Sequence, residues 1–349
     1  MFGNRLINLF YGSIAVDLGT VNTLVALCGQ GIALREPTAV AVSTAENKDA
    51  VLSVGSEAMS MLGRAPSDVN ICYPMRDGVI SDLHMCEVML KQFIARALGH
   101  KPGPLGVRLM LCLPLCATDI ERHALAEAAK GAGAREVLLM EEPVAAALGA
   151  GISPGDALGS MVVDIGGGTT DAAVLVLGGI AAYRSVRTGG THIDAAIVDY
   201  IRREHNMMIG TRSAEQLKCE LGRAVVGGRE YAEIYGRNVE TGLPMSKVVT
   251  QSEISHAIIP PLRRISETVR ETLGETPPEL AGDLVHRGIV LTGGGARLYG
   301  IADMLAKDTG MPVRVAEDPL DCVVLGALRA LQEKDGIYEN TYADVTSAS

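Results

Sequence analysis

The chain has 349 residues, enough for about two domains. Hydrophobic residues make up 48% of it, which excludes a disordered chain, and the absence of Trp with only three Phe predicts a mainly aliphatic core. The net charge of −10 argues against extended nucleic-acid binding, because neutralising phosphates needs a basic surface. Seven scattered cysteines without a CxxC pair favour a reducing, cytoplasmic compartment, and no apolar run is long enough to cross a bilayer.

The first ten residues, MFGNRLINLF, have an amphipathic helical pattern, with Phe2, Leu6, Ile7, Leu9 and Phe10 on one side. Two interpretations are open: a terminal helix packed on its own domain, or an anchor that lies flat among lipid headgroups. One Arg and the amino terminus attract anionic lipid only weakly. An anchor of this kind would therefore be strong only if many copies acted together.

Strands alternate with helices along the whole chain, which predicts an α/β fold. No low-complexity linker divides it, so a domain boundary is expected at a crossover inside compact structure. The predicted strands cover residues 14–18, 23–28, 137–140, 161–165, 172–177 and 288–291, and the predicted helices cover 83–98, 119–131, 143–151, 193–204 and 214–224.

Capping signals determine the expected ends of these helices, because Ser, Thr and Asp side chains bind the first free N–H groups of a helix. Proline suits the first helical position, and glycine suits the residue after the last one. The expected capping residues are Asp82 and Gly99 for the helix 83–98, Thr118 with Glu121 as a capping box, Pro143 at the first position of its helix, and Ser213 before the helix 214–224.

Two glycine-rich turns, each after a buried strand and each led by Asp, share one pattern. The run VDLGTVNT, beginning at Val16, aligns with VDIGGGTT, beginning at Val163, and Val, Asp, Gly and the final Thr recur in place. One such turn could be an ordinary hairpin. Two of them indicate duplicated halves that face one ligand.

These turns suit a phosphate ligand. Where no Cβ stands in the way, backbone N–H groups approach an anion closely, and two opposed turns could grip a polyphosphate from separate domains. An Asp beside each turn suits Mg²⁺, which prefers oxygen ligands. A third cluster, Gly293-Gly294-Gly295-Ala296, suits a nucleoside or an α-phosphate. Because the chain has neither a P-loop nor a GxGxxG run in a βαβ context, nucleotide binding by paired hairpins is the favoured interpretation.

In these residues the chain resembles the actin superfamily and, within it, the MreB family of bacterial actins. The resemblance covers nearly the whole chain, in order and without a large insertion. Superfamily patterns are carried by IAVDLGTVNTLV, MEEPVAAALGAG, MVVDIGGGTTDAAV and GIVLTGGGARL. Patterns of the MreB family itself are carried by YPMRDGVISD, SAEQLKCELG, GRNVETGLP and VAEDPLDCVVLGAL.

The resemblance implies an actin-like fold, with two duplicated α/β domains and with ATP and Mg²⁺ in the cleft between them. Domain I would span residues 1–152 with a return over 323–349, and domain II residues 153–322. Asp17 would face the metal, and Asp164 would hold it through water and belong to the catalytic set. The residues implied at the nucleotide are Asp17, Gly19, Thr20, Val21, Asn22, Thr23, Gly166, Gly167, Gly168, Thr169, Glu215, Gln216, Leu217, Lys218, Gly293, Gly294, Gly295 and Ala296.

Glu142 matches the family's water-orienting acid, and Thr169 is its implied helper. One carboxylate aimed at a water is enough for slow hydrolysis, since phosphoryl transfer to water depends mostly on positioning and charge neutralisation. Plainer interpretations stay open for these positions. Glu142 could merely complement a helix dipole, as its neighbour Glu141 could, and Glu215 with Lys218 could be a surface ion pair.

The implied function is an ATP-dependent cytoskeletal filament, a slow ATPase coupled to filament dynamics rather than a metabolic enzyme. It would polymerise with itself, lie on the inner face of the cytoplasmic membrane through residues 1–10, and organise cell-wall synthesis with rod-complex membrane proteins to maintain rod shape. The loop 99–106, with only Leu105 apolar, weakens a second membrane contact.

The main alternative is a small-molecule kinase on the same ATPase fold, although no segment resembles the sugar-binding motifs of those enzymes. A chaperone ATPase would need a peptide-binding domain, for which the chain has no room after its polar tail. A membrane-tethering actin of the cell-division or pilus type would usually carry an inserted subdomain. The filament is therefore the favoured function.

Overall fold

The structure, a computed structural model, describes residues 12–44, 50–64, 66, 68–103, 105–153, 155–225, 227–333 and 341–346. The amphipathic segment 1–10 lies outside these residues. The chain divides into two compact units. Unit 1 comprises Met1–Leu158, Leu175–Ile180 and Leu320–Ser349, and unit 2 comprises Gly159–Val174 and Ala181–Pro319. None of the described helices is long and apolar enough to cross a membrane.

The predicted alternation of strands and helices holds over residues 83–165 and 278–344, whereas strands follow one another over 13–54, 69–80 and 160–186 and helices follow one another over 251–287. The strands are β1 (Ser13–Leu18), β2 (Asn22–Leu27), β3 (Gly31–Pro37), β4 (Val40–Ser43), β5 (Ala50–Val54), β6 (Val69–Cys72), β7 (Met75–Arg76), β8 (Val79–Ile80), β9 (Val107–Leu113), β10 (Ala134–Glu141), β11 (Ser160–Ile165), β12 (Thr170–Val176), β13 (Gly179–Val186), β14 (Met207–Met208), β15 (Tyr231–Asn238), β16 (Pro244–Thr250), β17 (Ile289–Thr292), β18 (Val313–Val315) and β19 (Tyr342–Asp344). The α-helices are α1 (Ser56–Ser60), α2 (Leu83–Leu98), α3 (Asp119–Gly131), α4 (Glu142–Gly149), α5 (Gly190–His205), α6 (Thr211–Leu221), α7 (Gln251–Ala257), α8 (Ile259–Glu275), α9 (Pro278–Arg287), α10 (Ile301–Thr309) and α11 (Cys322–Gln332), and Gly294–Arg297 forms a 3₁₀ turn.

The main sheet of unit 1 is mixed and has the strand order β19-β10-β9-β1-β2-β3. Strands β10, β9 and β1 run parallel, whereas β2, β3 and β19 pair antiparallel with their neighbours. The hairpin of β1 and β2 pairs Asp17 with Leu24 and Leu18 with Thr23. The register therefore leaves residues 19–22 as a tight turn at the carboxyl end of β1.

Helices α2 and α3 cover this sheet with apolar faces that the sequence pattern predicts. Asp82 caps α2 by accepting a hydrogen bond from the Met85 amide, and Gly99 ends the helix in the left-handed conformation. Thr118 and Glu121 form the expected capping box at the start of α3. Both helices bury residues in the mainly aliphatic core of unit 1, in which Phe93 is the one aromatic side chain among the described residues.

Unit 2 has a five-stranded sheet of order β13-β12-β11-β17-β18 and a smaller antiparallel sheet of β14, β15 and β16. Strands β11, β17 and β18 run parallel, and their register sets Asp164 beside Thr292. The core of unit 2 is built from Ile, Leu, Val, Ala and Met side chains. Two glycine-rich segments, after β11 and after β17, thus lie side by side at the carboxyl ends of neighbouring strands.

The prediction for the start of α6 is wrong. The helix begins at Thr211, its N-cap is Gly210, and no side chain caps it, so Ser213 lies within the first turn. At the other end Gly222 takes extended dihedral angles, φ −63° and ψ 127°, and the helix stops at Leu221 instead of 224. The serine near the start of the apolar periodic run therefore misplaced the first residue by one turn, and the last residue was misplaced by one turn because Gly222, which ends the helix, was not recognised as a stop.

Candidate functional site

The first glycine-rich turn, residues 19–22 of unit 1, is closed by its own backbone. The Gly19 amide donates to the Asn22 carbonyl at 3.1 Å. A Cβ on Gly19 would lie 2.7 Å from that same oxygen, so only glycine fits this closure. The Thr38 amide, at the end of β3, donates to the Val21 carbonyl at 2.8 Å and attaches the turn to the neighbouring strand.

Two buried threonines brace this turn from within unit 1. The Thr38 hydroxyl donates to the Gly19 carbonyl at 2.8 Å, and the Thr23 hydroxyl lies 2.9 Å from the Thr38 hydroxyl. Because the Thr38 proton is used on Gly19, Thr23 is the donor of this pair. In a trans peptide, the C=O of one residue and the N–H of the next point in opposite directions. Because the Gly19 C=O points towards Thr38, the Thr20 N–H points away from it. Thr23 thus supports the turn with its side chain.

The second glycine-rich turn, in unit 2, is held at the start of α5. The Gly166 amide donates to the Thr169 carbonyl at 2.9 Å. The amides of Gly190 and Thr191 donate to the carbonyls of Gly166 and Gly167 at 3.0 and 2.8 Å, and the Thr191 hydroxyl adds a 3.0 Å bond to Gly167. By the same trans-peptide argument, these bonds direct the amides of Gly167 and Gly168 to the opposite side of the turn.

The close approach behind the second turn requires glycine. A Cβ on Gly189 would lie 2.6 Å from the Gly166 carbonyl oxygen. Thr170, which follows the turn, donates its hydroxyl to the Thr188 carbonyl at 2.7 Å, and Thr169 is buried. The turn therefore has a rigid back and a front made of glycine amides, which is the arrangement of an anion-binding backbone concavity.

The third glycine cluster sits directly beside the second turn in unit 2. Gly293 has φ +78°, and a Cβ there would lie 2.4 Å from the Ile165 carbonyl oxygen. A Cβ on Gly295 would overlap the Ile165 side chain at 2.2 Å, while Ala296 is buried in the core. The cluster offers bare backbone at the carboxyl edge of the sheet, next to the end of β11.

Asp164 is a buried carboxylate in unit 2, with 5% of its surface exposed. Burial raises its pKa to about 6, against the opposing effect of a 2.7 Å hydrogen bond from the Thr292 hydroxyl. Asp17, at the end of β1 in unit 1, is half-buried. Carboxylate oxygens are the ligands that Mg²⁺ prefers, and a cation would offset the desolvation of Asp164, so the carboxylate in each unit is by itself of a type that suits a magnesium ligand. Among the described residues no cluster of three or more His, Cys, Asp or Glu suggests another metal site.

Helix α6 carries the four residues that were expected at the nucleoside. Lys218 pairs with Asp194 of α5 at 2.9 Å and lies 3.4 Å from the Gly190 carbonyl, so within the described residues its ion-pair partner is on α5 and not Glu215 of its own helix. Leu217 is a core residue, with 2% exposure. The exposed Gln216 donates to Glu220. The lysine is thereby fixed at the start of α5, beside the second glycine-rich turn.

Glu142 is the first residue of α4 in unit 1 and has 9% exposure. Pro143 follows as the second helical residue, one place later than expected. Glu141 precedes the helix and contacts Arg122 at 3.4 Å, which assigns the neighbouring acid to an ion pair. Glu142 is thus the more buried of the two acids at the helix start. This burial favours a side chain held in one direction over a solvated acid that merely complements the helix dipole.

Close packing fixes the helix that carries Glu142. A Cβ on Gly326 of α11 would lie 1.7 Å from the Ala145 carbonyl oxygen, and one on Gly149 would lie 1.8 Å from the Cys322 carbonyl oxygen. Arg329 also donates to the Leu148 carbonyl. Helices α4 and α11 are therefore in backbone contact, and α4 has little freedom to shift.

Several supporting residues escaped the sequence analysis. They are Thr38 and the segment 189–191, which hydrogen-bond to the first and second turns, Thr292, which donates to Asp164, and Asp194, which forms an ion pair with Lys218. Only the paired glycines at 189 and 190 carried a recognisable signal, since they lie three and four residues before the helix predicted over 193–204, which in the structure begins at Gly190. The other three depend on strand register or helix packing.

Comparison with known proteins gives consistent matches along the chain. A family model described as MreB/Mbl protein matches residues 11–339. The cell shape-determining protein MreB of Escherichia coli (strain K12) is 46% identical over 333 residues, covering 94% of this chain and 95% of that protein. The crystal structure of MreB5 of Spiroplasma citri bound to ADP has 35% identity and a TM-score of 0.86, covering 95% of this chain and 98% of that one. The same protein bound to AMPPNP gives 35% identity and a TM-score of 0.84, covering 90% and 94%.

Proposed function

The chain belongs to the MreB/Mbl family and has an actin-like α/β fold, and on this premise we propose that it is an ATP-dependent filament protein. In this proposal it binds ATP with Mg²⁺, hydrolyses it slowly and polymerises with itself. The filament associates with the cytoplasmic membrane and organises cell-wall synthesis. Its curated relatives are described as cell shape-determining proteins.

The arrangement of the glycine turns is the observation that carries the nucleotide proposal. Hydrogen bonds from Thr38 and from the first residues of α5 fix the direction of carbonyls in the two turns. The amides of Thr20, Gly167 and Gly168 therefore point in the opposite direction, away from these donors. Backbone amides in this arrangement bind phosphate oxygens. A related protein, S. citri MreB5, has been crystallised with ADP and with AMPPNP, which supports the same ligand class here.

Asp17 and Asp164 are the residues that would hold Mg²⁺, Asp164 through water. The ion would supply neutralisation of phosphate charge. Lys218, fixed by Asp194, and the bare backbone of the cluster 293–296 are the parts of unit 2 assigned to the ribose and base.

Glu142 acts as the general base in this proposal. A water attacks the γ-phosphorus and passes a proton to the Glu142 carboxylate, while the bond from the γ-phosphorus to the bridging oxygen breaks and leaves ADP and phosphate. Thr169 helps to position the water. Because the work falls on one carboxylate and on positioning, hydrolysis is slow.

Filament formation follows from repetition of one head-to-tail interface, which gives open polymers. Residues 1–10, outside the described part of the chain, are the proposed membrane segment, and the exposed Leu105 adds little apolar surface. Each segment binds lipid weakly, but a filament presents many of them, so attachment becomes firm only on assembly.

Sedimentation tests the central claim. The full chain should pellet with lipid vesicles in ATP and Mg²⁺ and should show filaments by electron microscopy, whereas EDTA should leave it in the supernatant. A chain that stays monomeric on lipid well above micromolar concentration, with ATP and Mg²⁺ present, would contradict the filament proposal. Failure to bind ATP in a direct titration would contradict the nucleotide proposal separately.

A further inference from the structure

The last strand of unit 1, β19, completes the main sheet along the outer edge of β10. Its register pairs Tyr342 with Met140, Ala343 with Leu139 and Asp344 with Leu138. Just beyond it, the Val345 amide donates to the Val137 carbonyl at 3.0 Å, and the Thr346 hydroxyl oxygen accepts from the Val137 amide at 3.0 Å. Both backbone groups of Val137 are therefore satisfied by this segment.

A local turn orients the Thr346 hydroxyl for that contact. The Thr346 amide and hydroxyl both donate to one Asp344 carboxylate oxygen, at 2.9 and 2.5 Å. With its proton on Asp344, the hydroxyl offers its oxygen to the Val137 amide. A serine would keep both bonds, whereas a valine of similar shape would break both and leave the Val137 amide unpaired.

The strand held in this way is the one that leads into Glu142. The four side chains from Val137 to Met140 are at most 3% exposed, so β10 is a buried strand whose edge needs a partner. On its inner edge, β9 pairs with it up to Glu141, where Leu113 is the partner. On its outer edge β19 reaches Met140, two residues before Glu142.

We infer that residues 341–346 are a positioning segment for Glu142: they restrain the outer edge of β10 and thereby fix the acid that follows it. This inference rests on the proposed role of Glu142 in hydrolysis. Without the segment, β9 alone pairs with the end of β10. The residues that lead into Glu142 then lose one of their two restrained edges, although α11 still holds the rest of α4. The effect is on the rate of hydrolysis, because the segment touches none of the glycine turns assigned to the phosphates.

The test compares Thr346→Val with its matched control Thr346→Ser in the full chain. Phosphate release is measured against ATP concentration and normalised to pelleted protein, together with ATP affinity and the melting temperature. We expect Thr346→Val to lower kcat about tenfold, because misplacing a catalytic group by about 1 Å can cost on the order of 100-fold. ATP affinity should be unchanged, and Thr346→Ser should behave as the parent.

A double variant separates this inference from the proposed function. If Glu142→Ala does not slow phosphate release, the proposed role of Glu142 is refuted, and the inference that rests on it is refuted with it. If Glu142→Ala does slow it, Thr346→Val should cause no further loss in that background, because both changes act through one side chain. Three results would overturn the inference without touching the proposed function. They are an unchanged kcat for Thr346→Val, a loss of ATP affinity as large as its loss of kcat, and a tenfold further loss of kcat when Thr346→Val is added to Glu142→Ala.

Discussion

Replacing Asp164 by Asn should stabilise the protein in the absence of ligand. The carboxyl is 5% exposed, and burial raises its pKa from 3.8 to about 6. A difference of about two pKa units corresponds to about 3 kcal/mol, so the ionised form destabilises the folded state by that order. Because the folded-state pKa is raised, this destabilisation is absent below about pH 3.8, develops as the pH rises, and is complete above pH 6. Asn keeps an oxygen that accepts from Thr292 and carries no charge.

The assay is urea unfolding in EDTA without nucleotide, at pH 8 and at pH 4. Asp164→Asn should raise the free energy of unfolding by about 3 kcal/mol at pH 8 and by close to nothing at pH 4. Asp199→Asn, at an exposed position of α5, is the matched control for loss of a carboxylate and should change the free energy of unfolding by less than about 0.5 kcal/mol, as surface substitutions usually do. The same Asp164 variant should bind ATP with a weaker dependence on Mg²⁺. A variant that is no more stable at pH 8, or equally stabilised at both pH values, would refute the desolvation argument.

Three further outcomes are expected. Glu142→Ala should retain ATP binding but slow phosphate release by about 100-fold, the usual scale for loss of a general base, and unchanged release would remove its assigned role. Gly326→Ala should lower the stability of unit 1 by about 1–3 kcal/mol through overlap with the Ala145 carbonyl, whereas Gly282→Ala, exposed within α9, should be neutral or stabilising in the same unfolding experiment. Deletion of residues 1–10 should leave the ATPase intact and lower co-sedimentation with anionic liposomes, and equal co-sedimentation would favour a helix packed on its own domain.

Local signals in the sequence predicted six of the strands and five of the helices that the structure describes. The apolar period and the caps at Asp82, Gly99 and Thr118 predicted α2 and α3 to the residue, because these signals act within one turn of the helix. The actin-like α/β fold and the MreB family resemblance are confirmed by the matches along the chain. The error at α6 arose because Gly210 and Gly222, which have no capping side chain, determine its ends through backbone geometry alone.

Long-range pairing was not predictable in the same way. The segment 341–346 is six residues long and mixes Thr and Asp with Tyr, Ala and Val, and so short a run does not indicate that it adds a strand to β10. Lys218 illustrates the same limit, since spacing on α6 favoured Glu215 as its partner whereas helix packing supplied Asp194. The glycine turns themselves were found from sequence, but their roles at a ligand stay predictions.

The two turns show why a glycine pattern alone is an incomplete description of such a site. Glycine permits the close approach, but it does not decide which way each peptide faces. In unit 1 that direction is set by the Thr38 hydroxyl, which reaches the turn because β3 pairs Pro37 with Asn22. In unit 2 it is set by the first amides of α5. Both sets of donors bind carbonyls, and the next amide in each turn therefore faces away from them. The direction of the free amides proposed to bind phosphate thus depends as much on the residues behind each turn as on the glycines within it.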